Sequence, residues 1–257
     1  MILNTKTVQM RKFFITTWFL CCLNCVAQPA FEYQRDFKLI LDSTKDNSTP
    51  IFYGKLLERF IQNDSALTRR EVLTLMIGFT DKPDFDPFND METEKEIFDL
   101  NETGDYIEAL NESKIYLKKH PLSLRVLKER SFSYNQVGKL DSAKYYMSLV
   151  DKLMSAMIYS GKGKTPEDPI FSLGLNDGEQ FIPNVGMTIL NKTTGRNKNK
   201  LFMEIINAKT EEDVSLNYFF VIQHAKEKMD GNDINEPSPK KNTKSKKKGK
   251  INEVKKE

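Results

Sequence analysis

The chain has 257 residues, with 39 Lys and Arg against 36 Asp and Glu and a formal charge of +3. All three cysteines, Cys21, Cys22 and Cys25, lie in one N-terminal segment. Removal of that segment would exclude disulfides, cysteine-based metal sites and a cysteine nucleophile together. The tail from Pro237 onward carries nine lysines against Glu253 and Glu257, leaving residues 1–236 at −4 within the total of +3, so the basic character belongs to the tail.

Met1–Thr7 is polar with Lys6, and Arg11 and Lys12 precede the apolar run FFITTWFLCCLNCVA. A basic start, a short apolar stretch and a small residue at the exit are the marks of a secretory signal peptide. The run is about 15 residues, short of the roughly 20 that span a bilayer. Residues 1–27 are therefore read as a signal peptide, with cleavage after Ala27 exposing Gln28. No lipid anchor is expected, because Asn24, Cys21 and Leu20 precede the three cysteines where a small residue is needed.

FEYQRDFKLILDS predicts a short helix with Phe37, Ile40 and Leu41 on one side. In STPIFYGKLLERFIQN, Thr49 and Pro50 suggest an N-cap and a first-turn proline, with Phe52, Leu56, Leu57, Phe60 and Ile61 at helical spacing. NDSALTRREVLTLMIGF offers Thr68 and Glu71 as a capping box ahead of Val72, Leu73, Leu75, Met76 and Phe79. These two segments predict a helical hairpin. DKPDFDPFND (81–90) then interrupts helix with two prolines.

From Met91 to Ser160 the pattern is helical and periodic. Gly104 and Gly138 are 34 residues apart, as are Ala109 and Ala143, and Pro121 follows Ala109 by twelve. That is the spacing of a tetratricopeptide unit, in which glycine turns the chain between two helices and a small residue lets their axes approach. Tyr134 adds an aromatic four residues before Gly138, while Ser155 stands where the second unit would carry its proline. Two units rarely suffice, and the hairpin at 49–80 is expected to stack on them as a third pair.

Beyond SGKGKTPEDP the period changes. IFSLGL, EQFIPNVGMTIL, KLFMEIINA and SLNYFFVIQ read as about four antiparallel strands, with turns at Asp177–Gly178 and at Thr194–Gly195. One apolar face on these strands would mean a sheet packed on the helices, and two would favour an enclosed pocket. From Asp230 the chain is almost free of apolar residues and is expected to be disordered. The division is thus 1–27 signal peptide, 28–160 helical repeat-like region, 161–229 antiparallel β region and 230–257 Lys-rich tail, an α+β fold.

No motif carries chemistry. GKGKT (161–165) has Ile158 where a phosphate loop needs glycine, and it reads as a flexible turn. Asp81, Asp84, Asp86 and Asp90 lack a glycine turn, with Pro87 and Phe88 in their midst, and read as a solvated acidic loop. His120 lies beside Pro121 at a helix end, and His224 ends a strand or begins a short helix. Two histidines do not suggest zinc or a triad, and Asp177 and Glu179 flank the predicted turn. Tyr106, Tyr116, Tyr134, Tyr145 and Tyr146 are expected to pack between repeat helices, with one or two free to meet a peptide. No catalytic, metal or cofactor residue is assigned, no cofactor is expected, and the binding residues are left open.

The order YGKLLERF, LTRREVLTLMIGFT, GDYIEALN, YLKKHPLSLRVL and IYSGKGKTPEDPI resembles a domain-of-unknown-function family of exported Bacteroidota proteins, over residues from about 50 to 225. The family is similar to tetratricopeptide proteins in its helical half, and the resemblance implies location and architecture but no activity. The expected function is a non-enzymatic protein- or peptide-interaction module of the periplasm or cell envelope. A small-molecule or lipid-binding protein is the alternative. Nucleic acid is not an expected partner, weak contact of the Lys-rich tail with an anionic surface is allowed, and the oligomeric state is left open.

Overall fold

The computed structural model describes residues 30–235. The expected signal peptide, its three cysteines and residues 236–257 of the tail lie outside the described residues. The first three helices are α1 (Tyr33–Ser43), α2 (Tyr53–Ile61) and α3 (Arg69–Phe79). Phe37, Ile40 and Leu41 of α1 pack against the core as expected. Helix α2 starts later than Thr49 and Pro50 suggest. The Thr49 hydroxyl donates back to the Asp46 carbonyl at 2.9 Å, stabilising a turn in place of a helix cap.

The capping box of α3 is present. Thr68 Oγ1 accepts from Glu71 N at 3.2 Å, and Glu71 Oε2 accepts from Thr68 N at 2.8 Å. Thr68→Ala is expected to cost about 1 kcal/mol, read from chemical denaturation. Every residue from Val72 to Phe79 is buried, so α3 is the central helix and packs against α1, α2 and a long helix of the repeat array.

That array comprises α4 (Asp90–Glu102), α5 (Tyr106–Tyr116), α6 (Leu124–Gln136) and α7 (Leu140–Ser160). The 34-residue echo extends to individual hydrogen bonds. Gly104 and Gly138 take φ of 85° and 75°. Gly104 N donates to Asn101 O and Gly138 N to Asn135 O, while Asp105 N donates to Leu100 O and Lys139 N to Tyr134 O. Both helix ends are therefore Schellman turns with glycine in the left-handed position. Ala109 and Ala143, 0% and 7% exposed, lie five residues on, where their small side chains allow the next helix to approach. Ala109→Trp is expected to cost about 2 kcal/mol by overpacking, seen as a lowered melting temperature.

The α2–α3 hairpin does join the array as a third pair, but at its far end. Helix α3 packs on α7, whose Leu149, Val150, Leu153, Met154, Ala156 and Met157 are buried in the main core. The first repeat unit has only a small apolar cluster of Ile97, Tyr116 and Val126. Buried polar contacts supplement it: Asn101 Nδ2 donates to the Glu129 carbonyl at 3.0 Å, and Ser133 Oγ donates to Asn101 Oδ1 at 2.6 Å.

The second half contains β1 (Ile170–Phe171), α8 (Asp177–Asn184), β2 (Thr188–Arg196), β3 (Phe202–Lys209), β4 (Ser215–Val221) and α9 (Gln223–Asn235). The strand order is β1-β4-β3-β2. The sheet is mixed where an antiparallel one was expected: β2–β3 and β3–β4 are antiparallel, but β1 runs parallel to β4. A second correction concerns Asp177–Gly178, expected to form a hairpin turn but found to open helix α8. Asp177 Oδ2 accepts from Gly174 N at 2.8 Å, and Gly178 lies flat on the sheet, where a Cβ would come within 2.4 Å of Glu204 Oε2. Thr194–Gly195 falls inside β2, and the turn is made by Asn197–Lys200, with Asn197 Oδ1 accepting from Asn199 N and Leu201 N.

The sheet has one well-buried face. Glu204, Ile206 and Ala208 alternate on β3, Tyr218 and Phe220 on β4, and Phe181 of α8 packs edge-on against Phe220 at 5.6 Å. Strand β2 is an exposed edge. This is the pattern of a sheet packed on helices. A single apolar core runs from α1 through α3 and α7 into the sheet.

Candidate functional site

Where the helical array meets the second half, a narrow cleft forms between α4, the exit of α5, the start of α6 and the loop leading into α8. Helix α4 supplies Asp90 and Glu94, four residues apart and so on one face. Tyr116 ends α5. The chain turns there, with His120 N donating to Tyr116 O at 3.0 Å, and the two rings stack at 4.3 Å between centroids. Ser123 caps α6: its Oγ accepts from Val126 N at 3.2 Å and donates to Glu94 Oε1 at 2.7 Å. The second half contributes Asp177 at the start of α8, and Asn176, whose Nδ2 lies 3.4 Å from Glu94 Oε2. Phe79, Phe85 and Leu173 form apolar walls.

The electrostatics are one-sided. No lysine or arginine lines the cleft among the described residues. His120 Nδ1 stands 3.0 Å from Asp90 Oδ1 without completing a hydrogen bond to it, and among the described residues neither Glu94 nor Asp177 has a lysine or arginine beside it in the cleft. Burial raises the Glu94 carboxyl to about 7, and the neighbouring Asp177 and Asp90 charges add to that, against the hydrogen bonds from Ser123 and Asn176. Burial likewise raises Asp177 to about 6, opposed by the backbone amides of Gly174 and Leu173. Carboxylates displaced in this direction in a cleft cluster at functional sites. The Tyr116 hydroxyl is buried beside Asp90 and Ser123 without a hydrogen bond to either, and burial raises its pKa as well. The cavity holds about 30 Å³, room for a water-sized group. Among the described residues no group of three or more His, Cys, Asp or Glu is placed to hold a metal ion.

A second concavity, about 390 Å³ and open to solvent, lies between α1, α3 and the end of α7. Leu39, Ile40, Ile51 and Tyr159 give it apolar walls, and charged groups stand at its edge. Some of these are engaged within the protein: Arg35 pairs with Asp36 at 2.6 Å, and Glu71 with Arg59 at 2.5 Å.

Several residues singled out from the sequence are placed differently from expectation. Asp90 belongs to the cleft, with Oδ1 3.0 Å from His120 Nδ1, in contrast to the solvated loop that the acidic stretch 81–90 suggests. Asp81 does meet that reading, pairing at the surface with Lys45 at 3.0 Å. Asp177 is 7% exposed at a helix start, while Glu179 pairs with Lys192 at the surface. The tyrosines pack, as expected for most of them. Arg130 lies over the rings of Tyr134 and Tyr146 and donates to Ser113 Oγ at 2.7 Å, and Tyr145 Oη donates to the Ile61 carbonyl. Tyr106 meets Phe132 edge-on at 6.0 Å, and Tyr116 alone of the five lines the cleft.

His224, in the first turn of α9, is fully enclosed. It stacks on Phe171 at 4.8 Å, beside Tyr33, Phe37 and Phe85, and its Nε2 lies 3.1 Å from the Leu173 carbonyl. Burial lowers its pKa from 6.5 to about 4. It is therefore neutral in the folded protein. Its contribution to stability is complete above its unfolded pKa and is lost as pH falls toward about 4.

Glu94 and Ser123 escaped notice in the sequence, and the only trace of Glu94 was its i,i+4 relation to Asp90. No curated protein and no solved structure matches the chain. The profile of one family does match, over residues 38–230, a span that contains the helical array, the cleft and the sheet. The chain belongs to the DUF4919 family, a domain of unknown function.

Proposed function

We propose that this chain is an exported, non-enzymatic recognition module of the bacterial cell envelope, which binds a protein or peptide partner at the cleft between α4, α5 and α8. The observation that carries the proposal is a pair of carboxyls, half-buried Glu94 and buried Asp177, at the seam of a repeat array, with no lysine or arginine beside them among the described residues. Helical repeat arrays commonly provide extended binding surfaces. A cavity of about 30 Å³ admits one projecting group, whereas enclosed small-molecule sites span about 300–1,000 Å³. Export rests on the basic start and apolar run of residues 1–27. A Bacteroidota origin rests on the resemblance in motif order.

The alternative, a small-molecule or lipid-binding protein, is favoured by a different feature: the groove beside α1 reaches about 390 Å³ and has apolar walls. Photocrosslinkers placed at Met91, on the rim of the cleft, and at Leu39, in the groove, separate the two in intact envelopes. Discrete protein adducts from Met91 are expected. Adducts confined to lipid or small molecules at Leu39 would establish the alternative instead.

A further inference from the structure

We propose that the cleft is a receptor for a primary alkylammonium group, the head of a lysine side chain or of a free amine. The inference rests on the recognition reading above and specifies the ligand chemistry of the same site. Three carboxyl groups from two separate elements line it, Asp90 and Glu94 from α4 and Asp177 from α8, and His120, with Nδ1 3.0 Å from Asp90 Oδ1, is the one base among them. A hydroxyl independently points to a missing partner. Tyr116 is 8% exposed and lines the same cavity, and among the described residues its Oη lies near Asp90 and Ser123 but meets neither in good hydrogen-bond geometry.

Size and wall chemistry define the class of ligand. The cavity admits a head the size of water, which an ammonium matches and a planar guanidinium or quaternary ammonium exceeds. An ammonium offers three hydrogen-bond donors, which suits a lining that includes carboxylate and phenol acceptors. Phe79, Phe85, Met91 and Leu173 give the same lining its apolar surface. An alkyl stem lying along such walls keeps its contact with them while its charged head meets the acids. Glu94 and Asp177, which have no lysine or arginine beside them in the cleft among the described residues, would ionise fully as the ligand enters, so its binding is coupled to release of their protons.

The test uses the full chain with n-butylammonium chloride as probe, followed by carbon NMR of the Glu94 carboxyl at matched ionic strength. The Glu94 titration is expected to move down by about one pH unit or more at saturation. Binding should be about tenfold tighter near pH 8 than near pH 5.5, where Glu94 and Asp177 are protonated. Butanol and tetramethylammonium should produce no such change. Glu94→Gln, followed through the Asp177 carboxyl instead, should weaken butylammonium binding by about tenfold or more while melting no lower than wild type. Tyr116→Phe, which keeps the stacked ring, should weaken binding by about threefold to tenfold.

A short neutral peptide with one internal lysine identifies the source. Binding about tenfold tighter than butylammonium assigns the site to a protein partner, and the reverse order assigns it to a free amine. An unmoved Glu94 titration, or an equal effect from tetramethylammonium or sodium, overturns the proposal. Amine binding without protein adducts from Met91 would instead sink the protein-partner reading alone. Adducts without amine binding would sink the ammonium assignment alone.

Discussion

Replacing Gly161 with alanine is expected to destabilise the protein by about 3 kcal/mol or more, the upper range for overpacking a site that cannot relax. The backbone at Gly161 is extended, with φ of 177°, so the effect is steric. An added Cβ would lie 2.2 Å from the Pro169 carbonyl oxygen and 2.8 Å from its carbon. Both are main-chain atoms of a segment that is fixed on both sides. Gly163 N donates to Asp168 O at 2.8 Å, Phe219 N donates to Gly163 O at 2.9 Å, and Phe171 N donates to Ser160 Oγ at 2.7 Å. Moving Pro169 would therefore displace Ile170 and Phe171, which are 1% and 0% exposed in the core. Denaturant unfolding of the variant measures the loss, and a change below about 1 kcal/mol would contradict this packing. The same geometry explains the SGKGKTPEDP junction, read from sequence only as a flexible turn.

The second large effect has the opposite sign. Glu94→Gln is expected to stabilise the protein by about 2–3 kcal/mol near pH 8 and to change little near pH 4. Burial holds the folded carboxyl at about 7 against an ordinary 4.5. A raised folded pKa contributes stability that is fully present below 4.5 and is lost as pH rises through about 7. Each unit of that interval corresponds to about 1.4 kcal/mol. Glutamine cannot ionise and so escapes the loss, although its amide nitrogen faces the Asn176 amide and gives back part of the gain. Urea unfolding at the two pH values decides the matter, and a pH-independent difference between the proteins would contradict the burial of Glu94. Part of the wild-type slope persists in the variant, because burial also raises Asp177 and Glu204, the latter despite Lys192 at 3.3 Å.

The helical half was legible because its signals are local. Thr68 and Glu71 form a capping box within one turn, and Gly104 and Gly138 repeat a backbone conformation that few other residues adopt. The second half was legible as short apolar runs but not in its pairing. Asp177–Gly178 has the composition of a hairpin turn, yet its conformation is decided by Gly174 and by the side chains of Glu204 and Ile206 on a strand more than twenty residues away. The parallel pairing of β1 with β4 joins Ile170 to Phe220, a contact no local pattern announces. The cleft was the least legible feature. In the sequence Asp90 reads as part of a solvated loop and His120 as a helix-end residue. Only folding brings them together with Glu94 and Tyr116 and with the start of α8. Burial, which gives the cluster its chemistry, is a property of the assembled halves.

The most direct test of recognition at this cleft is photocrosslinking from Met91 in intact envelopes, run in parallel on wild type and on Glu94→Gln. Discrete protein adducts that weaken when n-butylammonium is added, and that disappear in the variant, are the predicted result. Adducts of equal yield in both proteins, indifferent to the amine, would contradict it.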